Sequence, residues 1–151
     1  MRISAKADYA VRAVVELAAA GDATVKGEAI AQAQGIPLRF LENILLQLRH
    51  AGIVDSRRGA EGGYLLARPA AEIALADVIR AIDGPLAGVG GARPETLSFS
   101  GPAESMRDVW IAVRAALRSV LEEVTLADVA AGELPDDVRA LVGDQDAWVS
   151  R

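Results

Sequence analysis

Apolar residues recur at helical intervals through most of this 151-residue chain. Val11, Val14, Val15 and Ala18 follow the three-and-four spacing of one helix face, with Ser4 placed to cap the start and Gly21-Asp22 to end it. A shorter helix is predicted over Lys26 to Gln34, anchored by Ile30, with Thr24 as a possible cap. Gly35-Ile36-Pro37 breaks the chain tightly, because glycine accepts a left-handed turn and proline suits a helix start. A third helix then runs from Leu38 to about Ala51, inner face Leu41, Ile44, Leu45 and Leu48, outer face Arg39, Glu42, Asn43, Gln47 and His50.

Beyond Gly52 the period changes. Residues 53–56 and 63–66 read as two short strands, joined by the glycine-rich tip Arg57-Arg58-Gly59-Ala60-Glu61-Gly62. A fourth helix is expected over Ala74 to Asp83, burying Leu75, Val78, Ile79 and Ile82 and ended by Gly84-Pro85. The stretch 86–104 has no periodicity and is long for an idle connection. Ser105 and Asp108 form a capping signature for a fifth helix. Along it Trp110, Val113, Leu117, Val120, Val124 and Ala127 fall at intervals of three and four. After Gly132 the chain turns acidic, with a short helix and a mobile tail expected.

A short helix, a glycine-containing turn and an amphipathic helix make the helix-turn-helix pattern. Taken alone, many two-helix hairpins share it, and an arginine-tipped hairpin alone is most simply a solvated loop. In succession they make a wing after a helix-turn-helix, which favours DNA contact: the third helix enters a major groove while the wing lays an arginine on backbone or minor groove. The fold class expected is mainly α with a small β-hairpin wing, a winged helix-turn-helix with a long dimerisation helix. The units are a DNA-binding domain over 1–84, a loop over 85–104, a dimerisation helix region over 105–131 and an acidic tail over 132–151. A stripe such as Trp110 to Val124 can also pack on its own domain. Coming after a complete small domain, it is read instead as a helix that pairs with a second copy.

Charge supports the division. The net value of −5 argues against a polyanion partner, yet residues 1–68 carry +2 and residues 69–151 carry −7. Composition excludes more. There is no cysteine, which removes disulfides, thiolate metal sites and thiol nucleophiles, and the single histidine, His50, leaves little room for imidazole metal chemistry or a Ser-His-Asp triad. His50 is read as an exposed residue near a helix end, favourable to the dipole when protonated. No segment is long and apolar enough to suggest a membrane span or secretion signal, so a cytoplasmic protein with no membrane partner is expected. Nothing resembles a nucleophile–base pair or a phosphate-cradling loop, and no enzyme activity is expected.

Four stretches carry a family resemblance. The opening Met1-Arg2-Ile3-Ser4-Ala5-Lys6-Ala7-Asp8-Tyr9-Ala10-Val11 resembles the start of the bacterial iron–sulfur cluster regulator (IscR-like) family. So do Phe40-Leu41-Glu42-Asn43-Ile44-Leu45 with Leu48 to Val54, the wing from Ser56 to Ala67, and Ile73 to Gly84. The resemblance implies a homodimeric winged helix-turn-helix regulator, usually a repressor, acting on a pseudo-palindromic operator. It makes the third helix the recognition helix, with Arg39, Glu42 and Asn43 at its groove-facing start and Arg58 as the wing arginine. Asn pairs bidentately with adenine, Glu accepts from cytosine, and Arg reaches guanine or phosphate. Lys6, Lys26 and Arg57 are then phosphate contacts that position without specifying sequence.

Two departures shape the expectation. Cluster-bearing relatives place three cysteines in the loop between the fourth and fifth helices; here 86–104 has none, so no cofactor and no metal are expected. The wing tip has Ala60-Glu61 where the family has Pro-Gly, setting a carboxylate beside phosphates. Regulation stays open between a small molecule near 86–104, lined by Trp110 and Phe99, a protein partner on the acidic half, and no effector. The alternative from another class is a winged-helix protein-interaction module that has lost DNA binding.

Overall fold

The computed structural model describes residues 2–150. Met1, which opens the first resembling stretch, and Arg151 lie outside them. The elements are α1 (Ala5–Ala19), α2 (Gly27–Gln34), α3 (Leu38–His50), β1 (Val54–Arg57), β2 (Gly63–Leu66), α4 (Leu75–Asp83), α5 (Met106–Leu121), α6 (Leu126–Ala131) and α7 (Asp136–Gly143), with short 3-10 turns between some of them.

Helix α1 is the central post. Its face Ala10, Ala13, Val14 and Leu17 is fully buried, against Ile30 of α2, Leu41, Ile44, Leu45 and Leu48 of α3, and Val78 of α4. With few aromatics the core closes through small residues on α1, which let neighbouring backbones approach closely. The predicted Ser4 cap forms: its Oγ accepts from the Ala7 N–H at 3.0 Å and itself donates to Asp83 at 2.7 Å, tying the start of α1 to the end of α4. Gly35 closes α2 in the left-handed region at φ +62°, and Ile36 beyond it is buried, its N–H on the Ala31 carbonyl.

β1 and β2 pair antiparallel, Val54 opposite Leu66 and Arg57 opposite Gly63. A third segment joins them. Val25 and Tyr64 exchange both backbone hydrogen bonds at 2.8 Å, so the turn before α2 is stitched to the wing. Thr24, expected as a helix cap, instead donates its hydroxyl to the Glu61 carbonyl at 2.7 Å. Lys26 occupies the N-cap position of α2 without a side-chain cap bond.

The C-terminal half differs most from expectation. The fifth helix ends at Leu121 instead of continuing through Val124 to Ala127. Residues 73–75 and 124–126 meet as a short antiparallel bridge, with Leu75 N–H on the Val124 carbonyl and Leu126 N–H on the Ile73 carbonyl, each at 2.9 Å. Val124, expected on the dimerisation helix, is therefore past the end of α5 and buried at 3% exposure inside its own chain. Ser105 makes no capping bond, since its backbone is already helical at φ −72°, ψ −7° and its hydroxyl is not aimed at the free amides. The reciprocal box sits at Thr125 and Asp128, opening α6. Leu126 of α6 is fully buried in the core of α1 to α4, so a helix assigned to the 105–131 region completes the core of 1–84. The tail beyond Gly132 is α7 and a turn at Gln145–Trp148, with the Trp148 indole donating to the Val142 carbonyl at 2.7 Å.

Candidate nucleic-acid interface

Three chain segments converge at one edge of the fold. A methyl group placed on Gly27, at the start of α2, would lie 3.5 Å from the Tyr64 ring and 3.8 Å from the Leu38 side chain. The N-terminus of α2, the first turn of α3 and the base of the wing are thus packed on one another. Through that packing Lys26, Arg39 and the wing arginines belong to one surface, and all four are exposed. Glu42 and Asn43 are exposed one turn further along α3, opposite the buried row Leu41, Ile44, Leu45 and Leu48. Among the described residues none of Arg39, Glu42, Arg57 or Arg58 is held in an ion pair, and all four are exposed.

Lys6 stands apart from this group. It lies half-buried in the first turn of α1, two residues after the Ser4 that binds Asp83 of α4. Sequence reasoning missed one contact on α3 itself. Gln47 donates its amide to the Asn43 side-chain oxygen at 3.0 Å, leaving the Asn43 NH2 as its free group. An i, i+4 amide pair on an exposed face is a signal the pattern did contain. Beside Arg39, Phe40 is 55% exposed and meets Tyr9 edge-on at 6.4 Å, with the Arg12 guanidinium 4.9 Å above the Tyr9 ring.

The wing is fixed in place by Gly63. Its φ is +154°, and a Cβ there would stand 2.7 Å from the Val25 carbonyl oxygen. Only glycine lets β2 approach the Val25 strand so closely. Glu61 is exposed at the tip, its carbonyl committed to Thr24 and its carboxylate in no ion pair among the described residues.

The expected dimerisation residues divide. Trp110, Val113 and Val120 stand half-buried on α5, and no residue of that helix is fully buried. Leu117 faces inward with Ile79 and Leu86, lining a hollow of about 270 Å³. Val109, missed from the sequence, is 47% exposed one turn before Val113 on the open side. Beside the 86–104 loop lies a cleft of about 490 Å³, and neither Trp110 nor Phe99 lines it. Side chains from α4, Arg93 to Glu95 and α5 form its walls.

Comparison with known proteins agrees with this geometry. Residues 3–132 match the Rrf2 family, described as an iron-dependent transcriptional regulator. The chain is 57% identical over 151 residues to a proposed HTH-type transcriptional regulator of Mycobacterium tuberculosis, covering 99% of this chain and 94% of that one. It is 37% identical over 131 residues to the HTH-type transcriptional regulator CymR of Bacillus subtilis, covering 86% and 90%. The solved structure of B. subtilis CymR, the global cysteine regulator, superposes with a TM-score of 0.75 at 36% identity over 87% of this chain and 98% of that one. T. potens IscR gives 0.71 at 32% identity over 99% and 97%. The iron that the family description implies does not fit the residues here. The chain has no thiolate to offer, and the cleft beside its 86–104 loop is walled by guanidinium groups that repel a cation. Among the described residues no three His, Asp or Glu side chains group to hold a metal. With the family matched over residues 3–132 and these regulators superposing over most of the chain, the chain belongs to the Rrf2 family of transcriptional regulators.

Proposed function

We propose that the protein is a homodimeric, sequence-specific repressor that reads a pseudo-palindromic operator, one half-site per protomer. The observation that supports this is the packing of the α2 start, the first turn of α3 and the wing base on one another through the Val25–Tyr64 bridge, with Lys26, Arg39, Asn43, Arg57 and Arg58 exposed on those segments. A pure docking module has no need of an unpaired arginine tip fixed at a set distance from an amphipathic helix. In this reading α3 enters the major groove, with Arg39, Glu42 and Asn43 toward base edges. Arg58 reaches the minor groove, while Lys6, Lys26 and Arg57 meet phosphates. Val109, Val113, Ala116 and Val120 on α5 recur at intervals of four, three and four and form the face that meets a second copy. The chain then works in the cytoplasm, where the DNA is; among the described residues no helix is long and apolar enough to cross a membrane.

The test is selection of genomic fragments by the purified protein at moderate salt, repeated with Arg58→Ala. Enrichment of one palindromic motif, weakened in the variant by a factor of roughly ten or more, is the expected result. Absence of any enriched motif across the salt range would reject the operator reading and turn attention to the interaction-module alternative.

A further inference from the structure

The acidic half of the chain concentrates its positive charge in one place. Residues 69–151 contain seven arginines and no lysine, and four of the seven line the cleft beside the 86–104 loop: Arg80 from α4, Arg93 from the loop, and Arg114 and Arg118 from α5. In a segment whose net charge is −7, that clustering is not what solvation of a surface produces.

Two carboxylates answer the four guanidiniums. Glu95 pairs with Arg114, and Glu122 is shared by Arg80 and by Arg118, whose Nε donates to it at 2.9 and 3.0 Å. Asp77 approaches Arg80 at 3.9 Å but is divided with Arg68 at 3.6 Å and bonded to the Ala74 N–H at 3.2 Å. Among the described residues Arg93 makes no salt bridge, its charge acting on Glu95 only at longer range, and Arg80 and Arg118 converge on Glu122, so the four guanidiniums carry more N–H donors than these carboxylates can accept from. Both carboxyls stay ionised well below neutral pH: Glu95 is lowered by a backbone hydrogen bond and then by Arg114, Glu122 by Arg80 and then Arg118. The surplus is two positive charges around a concave space of about 490 Å³, floored by Leu86 and Pro94.

We infer that this cleft binds a small dianionic effector, a dicarboxylate or a phosphate ester, held by Arg80, Arg93, Arg114 and Arg118. The inference rests on the regulator reading above. Guanidinium forks match both carboxylate and phosphate oxygens, and the volume lies within the range of small-molecule sites. The position gives the ligand leverage. Arg80 belongs to α4, part of the DNA-reading core, while Arg114 and Arg118 belong to the helix that meets a second copy. A dianion bridging them sets the angle between the two, and it shifts operator affinity if it prefers one angle.

The experiment titrates the full-length protein with succinate and, separately, with glycerol 3-phosphate, followed by calorimetry against sodium chloride at equal ionic strength. Operator binding is measured in parallel with and without each probe. One probe is expected to saturate where chloride does not, which also separates the dicarboxylate from the phosphate source. Arg93→Ala should weaken it roughly tenfold, while Arg107→Ala, on α5 outside the cleft, should not. Operator affinity should change by about fivefold or more on saturation. If neither probe saturates above chloride, or Arg93→Ala binds as well as the parent, the site is refuted while operator binding of the unliganded protein stands. Saturation without any change in operator affinity refutes the effector role. Loss of operator binding by the unliganded protein is instead a failure of the repressor reading.

Discussion

Gly63 shows how one residue fixes the relation between wing and helices. A side chain at this position would push β2 off the Val25 carbonyl, and the backbone angle itself disfavours any L residue. Gly63→Ala is expected to cost about 1–3 kcal/mol, read by urea denaturation, and to weaken operator binding because the wing no longer stays stitched to the start of α2. Unchanged stability together with unchanged DNA affinity would show that the Val25–Tyr64 stitch does not position the wing. The sequence exposes such a residue only in part. Gly62-Gly63 before an apolar strand signals a hairpin, whereas the partner 38 positions earlier is invisible until the chain is folded. The same holds for Thr24, whose hydroxyl serves the Glu61 carbonyl where local pattern suggested a cap. By contrast Arg39, Glu42, Asn43 and Arg58 lie exposed where their periodicity put them, because helix faces and hairpin tips are local geometry.

At the scale of elements, the outcome turns on which of two similar signals is obeyed. Ser105-x-x-Asp108 and Thr125-x-x-Asp128 both spell a capping box, and only the second forms one. There the Asp128 carboxylate accepts from the Thr125 N–H at 2.8 Å and its hydroxyl at 2.7 Å, and these bonds hold its carboxyl below the usual range. The difference is tertiary. Thr125 is extended because Val124 and Leu126 are bridged to Leu75 and Ile73 at the start of α4, so its side chain is free to cap. An unbroken three-and-four stripe from Trp110 to Ala127 hides that bridge, since periodicity continues straight across the break. Leu126 is the residue that makes α6 part of the core. Leu126→Ala should destabilise the whole chain by about 2–5 kcal/mol in a single denaturant transition. A small effect, or a separate early transition confined to the C-terminal half, would mean that α6 is only attached to the winged unit.

For the whole molecule, the decisive contrast is between α1, which buries Ala7, Ala10, Ala13, Val14 and Leu17 completely, and α5, which buries none of its residues completely. One side of α5 is covered by its own chain, where Leu117 turns toward Ile79 and Leu86, and Pro94 is buried in the turn beneath the helix. The other side, with Val109, Val113, Ala116 and Val120, is covered only in part: Val109 and Ala116 are exposed, and Val113 and Val120 are half-buried. Apolar groups at that spacing, left half in water, each gain when matched against the same row of a second copy. Placing a charge in that row buries it without a counter-ion in the dimer and costs far less in the monomer, where Val113 is already half in water. Val113→Asp is therefore expected to leave the urea midpoint of the isolated chain nearly unchanged while sedimentation shows a shift from dimer to monomer. Operator affinity should then fall by roughly 100-fold or more, since each half-site is bound without the effective concentration supplied by the other. The equivalent change at Arg107, exposed on the far side of the same helix, should do neither. A Val113→Asp protein that still sediments as a dimer and still binds the operator would place the two-fold interface elsewhere. The arginine cleft would then lose its lever on the DNA-reading helices, because ligand at α5 acts on the operator only if α5 is where the two copies meet.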